Sequence, residues 1–384
     1  MKKPVIIADE KIPFLKGSLE SLAEVIYLPG NKINRETVRD ADALLIRTRT
    51  RCDSELLENS MVKFIATATI GYDHIDTGYC NSRNIRWTNA PGCNSSSVEQ
   101  YIVAALLEMA HKHGSRLKDK TIGIIGVGNV GAKVARISNA LGMKVLLNDP
   151  PRERAEGSGE FTSLEMIRRE ADIITLHVPL NYSGMDKTFH LVHGDFLSGL
   201  KKNIILFNTS RGEVVETPSL MQALRSGKIM DTVLDVWENE PFPDMELLNM
   251  TGIATPHIAG YSVDGKANGT MMSIKAISGF FRLGMDEWKP SGLPDTEIRD
   301  IVIDCGGMTE QEIIHEVYRK TYNILEDDKA LRSNIGGFEE LRGSYPVRRE
   351  ATYFTLRLNN NPWEDLEKVF TELGFSVLEM DCFC

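Results

Sequence analysis

The stretch Thr121-Ile122-Gly123-Ile124-Ile125-Gly126-Val127-Gly128-Asn129-Val130-Gly131 decides the fold. Thr121 to Ile125 is apolar enough for a buried strand, and a GxGxxG pattern follows it and opens a helix predicted over Val130 to Leu141. In such a turn the first glycine permits the tight bend, the second lets the backbone approach a pyrophosphate, and the third lets the helix pack against the strand. The helix N-terminus would offer free N–H groups to the phosphates. The stretch therefore predicts a dinucleotide-binding unit.

Asp149 ends the next apolar run, Leu146-Leu147-Asn148-Asp149, at the distance expected for a ribose-binding acid. A carboxylate there accepts hydrogen bonds from the ribose hydroxyls and repels a 2′-phosphate, so we expect NAD rather than NADP. Arg152 is near enough to receive a 2′-phosphate, but Pro150 and Pro151 stand between it and Asp149.

Apolar runs and helical patterns alternate on both sides of this unit. TIGIIG and the five runs that follow it predict a doubly wound sheet of six strands; those five are VLLND, DIITLHVP, NIILFNTS, TVLDVW and GIATPH. Upstream, PVIIA, ALLIR and VKFIATA read as buried parallel strands, with crossover helices over Phe14 to Ala23 and Ser54 to Asn59. A helix over Ser96 to His111 is long enough to connect two domains.

The pattern changes after the Gly- and Pro-containing segment from Gly284 to Pro294, which is typical of a linker. Beyond it we predict α+β structure: strands over Ile298 to Ile303 and Ala351 to Leu358, and helices over Thr309 to Lys320 and Trp363 to Leu373. Thr309 and Glu312 could form a capping box. This part carries no cluster of candidate catalytic residues, so we expect it to serve assembly.

The predicted fold class is α/β, with two Rossmann-like doubly wound domains and a small C-terminal α+β dimerisation domain. We expect residues 1–95 and 258–284 to form the substrate domain, 96–257 the NAD-binding domain, and 285–384 the dimerisation domain.

Composition narrows the function classes. The 384 residues carry a formal net charge of -10, which argues against a general nucleic-acid binder. No window is apolar for long enough to cross a membrane, and the N-terminal run VIIA is too short for a signal peptide. The six cysteines lack a zinc-site or disulfide spacing and favour free thiols, no metal and a cytoplasmic location; Cys382 and Cys384 could bind a stray metal or oxidise.

Polar motifs follow three of the predicted strands, where doubly wound folds bind their ligands. These are Asn208-Thr209-Ser210-Arg211-Gly212, Asp235-Val236-Trp237-Glu238-Asn239-Glu240-Pro241 and Thr255-Pro256-His257-Ile258-Ala259-Gly260. Taken singly, each charged residue has an ordinary structural explanation. Jointly, at successive strand ends of a dinucleotide fold, they favour a catalytic site.

With the GVGNVG turn, these motifs resemble the D-2-hydroxyacid dehydrogenase family over about residues 1 to 283, as does the segment Ala68 to Asp76. The resemblance implies that His257 is the base for the substrate hydroxyl, that Glu240 orients and stabilises its ring, and that Arg211 grips the substrate carboxylate. It also implies a cofactor site, whose residues would be Gly126, Gly128, Asn129, Val130, Gly131, Asp149, Val178, Thr209, Ser210, Arg211, Asp235 and Gly260.

The motifs NAPGCN, NDPPR and HIAGY resemble one subgroup of that family more closely. This implies oxidation of 4-phospho-D-erythronate to 2-oxo-3-hydroxy-4-phosphobutanoate, a step of pyridoxal 5′-phosphate synthesis. Expected substrate contacts are Arg47, Thr48, Thr69 and Tyr261, with Thr48 where the subgroup has serine. The phosphate would lie towards Arg47, in the basic run Arg47 to Arg51.

Other functions stay open at this point. The substrate could be another 2-hydroxy acid, of the phosphoglycerate or hydroxypyruvate type, or the chain could be an NADH-sensing binding protein on the same fold. We expect a homodimer formed through the C-terminal domain. Arg348 and Arg349 could reach the active site of the partner in that dimer.

Overall fold

A computed structural model describes residues 3–157 and 159–378 of the chain. Its strands are β1 (Val5–Asp9), β2 (Glu24–Leu28), β3 (Ala43–Ile46), β4 (Phe64–Thr67), β5 (Arg86–Thr88), β6 (Thr121–Ile125), β7 (Lys144–Asn148), β8 (Ile173–Leu176), β9 (Ile204–Asn208), β10 (Ile229–Leu234), β11 (Ile253–Ala254), β12 (Asp300–Asp304), β13 (Thr355–Asn359) and β14 (Ser376–Val377). Its α-helices are α1 (Arg35–Val38), α2 (Ser54–Leu57), α3 (Thr77–Ser82), α4 (Ser95–Lys112), α5 (Asn129–Ala140), α6 (Pro150–Glu156), α7 (Leu164–Glu170), α8 (Gly194–Ser198), α9 (Thr217–Arg225), α10 (Met245–Met250), α11 (Val263–Phe281), α12 (Glu310–Thr321), α13 (Ile324–Ser333), α14 (Phe338–Gly343) and α15 (Leu366–Glu372).

One compact unit comprises residues 3–94 and 262–294. It contains a five-stranded parallel sheet in the order β2-β1-β3-β4-β5. The central strands are apolar on both faces because layers cover the sheet on both sides, as parallel sheets require. Helix α11 supplies part of one layer, where Ile274 and Ile277 pack with Ile6 and Leu45.

The predicted helix over Phe14 to Ala23 is wrong, since this segment forms turns. Phe14 has φ 60° and Gly17 has φ 87°, and a right-handed helix accommodates neither value. The apolar spacing that suggested a helix comes instead from Leu15 and Leu19. Both side chains are buried, so they hold the turns against the core. Strand β2, which follows directly, was not predicted.

The other unit comprises residues 95–261 and 295–378 of the described chain. Its larger sheet is parallel throughout, in the order β11-β10-β9-β8-β6-β7, so the predicted six-stranded doubly wound sheet is confirmed. The order reverses beside β6. Ligands bind at such a reversal, outside the carboxyl ends of the strands.

The C-terminal part of this unit has its own parallel sheet, β12-β13-β14, as expected for a small additional α+β element. Helix α12 begins at the predicted capping box of Thr309 and Glu312. On α12, His315 and Arg319 bind the buried Glu108 carboxylate of α4 at 2.8 and 2.9 Å. These contacts attach the C-terminal helices to the nucleotide-fold helix α4.

Two further expectations concern membrane-spanning helices and cysteines. Between residues 3 and 378, with residue 158 left aside, none of the helices has the length and apolar character needed to cross a membrane. Cys52, Cys80, Cys93 and Cys305 are buried, and none of these four forms a disulfide among the described residues. Cys382 and Cys384 lie outside the described residues.

Candidate active site

The glycine turn between β6 and α5 is shaped for a close approach of a phosphate. A Cβ on Gly126, which has φ +90°, would lie 2.5 Å from the His177 carbonyl oxygen, and one on Gly131 would lie 1.9 Å from the Gly126 oxygen. Packing within the protein therefore requires these two glycines. A Cβ on Gly128 would meet nothing within 4 Å, and no side chain caps α5 there. The bare backbone and helix N-terminus fit a dinucleotide pyrophosphate.

Asp149 follows β7 and caps α6. Its carboxylate accepts hydrogen bonds from the backbone N–H of Val127 at 2.8 Å and of Arg152 at 3.1 Å. The Arg152 guanidinium binds Glu156 and the Val127 carbonyl oxygen, at 2.6 to 2.7 Å. Asp149 thus ties the glycine turn to the end of β7, and Arg152 already has a carboxylate partner.

The remaining predicted cofactor residues follow successive strands of the same sheet. Val178 follows β8, Thr209 and Ser210 follow β9, Asp235 follows β10, and Gly260 follows β11. The predicted residues therefore share the carboxyl edge of one sheet. Next to Val178, His177 binds Thr175 at 2.9 Å, and desolvation lowers its pKa to about 3.

Asp235 organises the segment that carries His257. Its side chain is 1% exposed. One oxygen accepts from the Thr255 hydroxyl at 2.6 Å and the Ile258 N–H at 2.7 Å, and the other from the Ala259 N–H at 2.9 Å. His257 itself donates its N–H to the Asp235 carbonyl oxygen at 2.7 Å. These bonds hold His257 at φ 56°, a strained backbone conformation of the kind found at functional sites.

Glu240 and His257 form a hydrogen-bonded pair, with Oε2 of Glu240 and Nδ1 of His257 2.8 Å apart. The other carboxylate oxygen accepts from the Trp237 N–H at 3.0 Å. Burial raises the pKa of Glu240, but the hydrogen bond and charge of His257, the Trp237 N–H and the charge of Arg342 outweigh it, so the net pKa is lowered. An ionised Glu240 makes Nδ1 the donor and leaves Nε2 to exchange a proton.

Trp237 links the three strand ends that carry the predicted catalytic residues. Its N–H binds Glu240, and its indole N–H binds the Thr255 carbonyl oxygen at 3.0 Å. A Cβ on Gly212 would lie 2.0 Å from the Trp237 carbonyl carbon, so the segment after β9 packs directly on Trp237. Arg211, which precedes Gly212, binds the Ser210 carbonyl oxygen at 2.8 Å. The sequence did not assign Trp237 this role.

Arg348 is buried within its own chain, 4% exposed, rather than displayed for a partner. Its guanidinium binds the Ser97 carbonyl oxygen at 2.5 Å, the Gln100 side chain at 2.9 Å, and the carbonyl oxygens of Ile258 and Ala259 at 3.4 and 3.3 Å. It therefore supports the segment that follows His257. Sequence reasoning missed this contact, because no local pattern connects residues about 90 positions apart.

Arg349 is also largely buried, and its guanidinium lies 4.0 Å from the centre of the Tyr353 ring. Like Arg348, it is engaged by side chains of its own unit.

The other unit carries the predicted substrate residues Arg47, Thr48 and Thr69 just beyond β3 and β4. Arg47 donates to the Lys11 carbonyl oxygen at 2.7 Å, and Thr69 to the Gly71 carbonyl oxygen at 2.9 Å. A further cation, Lys266, was not predicted from the sequence. Burial and, next, the charge of Arg47 lower its pKa. Two neighbouring cations at this sheet edge would favour an anion. Tyr261, the fourth predicted contact, lies in the unit with His257.

Comparisons with known proteins identify the family of this chain. Residues 95–259 match the family model "D-isomer specific 2-hydroxyacid dehydrogenase, NAD binding domain", and residues 293–374 match "Domain of unknown function (DUF3410)". Similar solved structures include the D-lactate dehydrogenase of Aquifex aeolicus complexed with NAD and lactic acid, with 28% identity, TM-score 0.61, and coverage of 74% of this chain and 97% of that one. Another is the NAD-bound 3-phosphoglycerate dehydrogenase of Entamoeba histolytica, with 26% identity, TM-score 0.62, and coverage of 76% and 100%.

Fold and site together define an NAD-dependent dehydrogenase of the D-isomer-specific 2-hydroxyacid type. Among curated relatives, the erythronate-4-phosphate dehydrogenase of Bacteroides fragilis is 52% identical over 90% of this chain and 97% of its own length. That of Proteus mirabilis is 41% identical over 90% and 92%. The chain belongs to the erythronate-4-phosphate dehydrogenase family.

Alanine substitutions at Gly128 and Gly131 should have different effects on stability and on NADH binding. Gly128→Ala should leave stability within about 0.5 kcal/mol of wild type, as for surface substitutions, because its Cβ meets nothing, but it should weaken NADH binding at least about tenfold by obstructing the pyrophosphate. Gly131→Ala should destabilise the fold through its clash with Gly126. Thermal melts and NADH titration monitored by fluorescence measure both effects. Equal melting losses in the two variants would contradict this division.

Replacing Glu240 should reduce turnover without preventing cofactor binding. Glu240→Gln keeps the shape but removes the charge that fixes and stabilises the His257 ring, so kcat should fall by about a hundredfold to ten-thousandfold. The matched control is Glu238→Gln, because Glu238 binds His190 at 2.7 Å and the Thr217 N–H. Steady-state kinetics compare the two variants. A similar fall in both would assign the Glu240 effect to general disruption of the loop.

Proposed function

We propose that this enzyme oxidises 4-phospho-D-erythronate to 2-oxo-3-hydroxy-4-phosphobutanoate, with NAD as hydride acceptor, as a step of pyridoxal 5′-phosphate synthesis. The observation that carries the proposal is the hydrogen-bonded Glu240 and His257 pair, in the same unit as the glycine turn, in a chain 52% identical to a named erythronate-4-phosphate dehydrogenase.

The chemistry divides among three side chains. With Nδ1 engaged by Glu240, the Nε2 atom of His257 accepts the proton of the C2 hydroxyl. The C2–H bond breaks as the C2=O bond forms, and bound NAD supplies the acceptor for the departing hydride. Glu240 stabilises the imidazolium that results, as a carboxylate does in other histidine-based sites. Arg211 binds the substrate carboxylate through its planar fork and polarises the C2 oxygen.

The remaining substrate contacts are part of the same proposal. Arg47, Thr48 and Thr69 bind the polar and phosphorylated part of the substrate, and Tyr261 contacts it from the segment after His257. The basic character of Arg47 and Lys266 supports an anionic substrate over an apolar one.

We also propose that the enzyme is a cytoplasmic homodimer with the three domains described from the sequence. The C-terminal part has exposed apolar side chains, including Ile298 and Val302, which a second copy would cover. Buried free thiols support a reducing compartment. Light scattering at low protein concentration should give twice the 42.9 kDa chain mass. A monomer mass would contradict the dimer.

The substrate is tested by NADH absorbance at 340 nm in the reductive direction. Purified protein should oxidise NADH rapidly with 2-oxo-3-hydroxy-4-phosphobutanoate and far more slowly with hydroxypyruvate, 3-phosphohydroxypyruvate or pyruvate. His257→Ala should lower the rate by about a hundredfold to ten-thousandfold while NADH still binds.

Faster turnover of another 2-oxo acid would keep the mechanism and replace the substrate. NADH binding without oxidation of any acid would indicate a sensor instead of an enzyme.

A further inference from the structure

Arg342, on the short helix α14, has a guanidinium N–H donor without an acceptor among the described residues. Its Nη1 donates to Glu339 at 3.0 Å. Its Nε is buried and has no hydrogen-bond partner among the described residues. Leaving a buried N–H without an acceptor is costly, and native structures nearly always satisfy such groups. An acceptor that binds the protein would remove this cost after a small movement of the side chain.

The surroundings of Arg342 belong to the catalytic part of its own unit. Its Cζ lies 5.7 Å from the centre of the Tyr261 ring and 6.0 Å from that of Phe338. Burial lowers the pKa of Arg342, but the nearby Tyr261, Glu240 and Glu339 outweigh it, so the net pKa is raised. The charge of Arg342 contributes to the lowered pKa of Glu240, the partner of His257. Arg342 thus stands next to one predicted substrate contact and within electrostatic range of the catalytic pair.

Arg342 can be reached by an additional anion, although it already forms an ion pair with Glu339. Its side chain is 21% exposed, so its outer nitrogens can be reached from solvent, and Glu339 is a half-exposed carboxylate at 39%. A guanidinium has five N–H donors in a fork that matches phosphate oxygens. Arg211 is already assigned to the substrate carboxylate. The other anionic group of the substrate is its phosphate, whose oxygens can accept hydrogen bonds from Arg342.

We propose that Arg342 binds the phosphate of the substrate, beside Tyr261, so that the C-terminal domain takes part in substrate recognition within its own chain. The proposal rests on the proposed function, since it concerns the phosphorylated end of that substrate. A phosphate has three terminal oxygens, so one guanidinium does not use all of its acceptors. Residues 293–374, matched only to a domain of unknown function, thereby gain a role besides assembly.

The test compares two substrates that differ only in the phosphate: 2-oxo-3-hydroxy-4-phosphobutanoate and 2-oxo-3,4-dihydroxybutanoate. Arg342→Gln should raise KM for the phosphorylated acid about tenfold to a hundredfold, as expected for a lost charge-assisted hydrogen bond. Its KM for the unphosphorylated acid and its affinity for NADH should stay within about twofold of wild type. The matched control, Arg357→Gln, removes an exposed arginine of β13 with the same change in net charge and should alter neither KM.

Two results would overturn the proposal. Equal rises in KM for both acids would mean that Arg342 does not recognise the phosphate. A change confined to kcat and its pH profile would mean that Arg342 acts through Glu240 alone. If Arg342→Gln does not fold, Arg342→Lys keeps the charge and loses the fork, and it should still raise the phosphorylated KM selectively.

The test also separates this inference from the substrate assignment. Wild-type turnover of the phosphorylated acid decides the proposed function. If wild type prefers another 2-oxo acid, inorganic phosphate is used as a competitive inhibitor against that acid. Arg342→Gln should then raise the inhibition constant for phosphate about tenfold or more, and an unchanged constant would overturn the inference.

Discussion

The buried carboxylate of Asp235 is the contact on which the catalytic geometry depends. A charge that is 1% exposed must be fully hydrogen-bonded, and the donors come from Thr255, Ile258 and Ala259. These donors lie on both sides of His257 in the sequence. The same hydrogen bonds therefore satisfy the Asp235 carboxylate and position the histidine. The strained φ of His257 is maintained by the same bonds. The Asp235 carboxylate therefore supports three residues of the segment after β11 rather than one side chain.

The parallel sheet explains why the other functional residues converge on this segment. In a parallel sheet the carboxyl ends of all strands meet at one edge, so the residues after β9, β10 and β11 are neighbours although far apart in sequence. Trp237 converts that proximity into contact. Its backbone N–H donates to Glu240, its indole N–H donates to the Thr255 carbonyl oxygen, and its backbone carbonyl packs against Gly212. The motif spacing is therefore a consequence of strand length and turn length.

Sequence reasoning succeeded where the physical signal is local and failed where it is not. Gly126 and Gly131 lie between a strand and a helix, and that order alone predicts their close packing. The turns at Phe14 to Ala23 have helix-like apolar spacing, but Gly17 and a positive φ at Phe14 override it. Arg342 and Arg348 lie in an ordinary polar segment. Their contacts with Tyr261 and Ala259 arise from tertiary packing, which carries no periodic signal.

The C-terminal part of the chain is integrated with the nucleotide fold through charge as well as apolar contact. Arg348 stacks 3.7 Å from the Tyr322 ring and binds carbonyl oxygens beside His257. The hydroxyls of Tyr322 and Tyr345 both donate to Asp327 at 2.8 Å, although burial raises the pKa of this acid. Such fully bonded polar networks specify one arrangement more strictly than apolar packing does. Because the bonds of Arg348 end on the segment that follows His257, the C-terminal part of the chain helps to fix the backbone that carries the histidine.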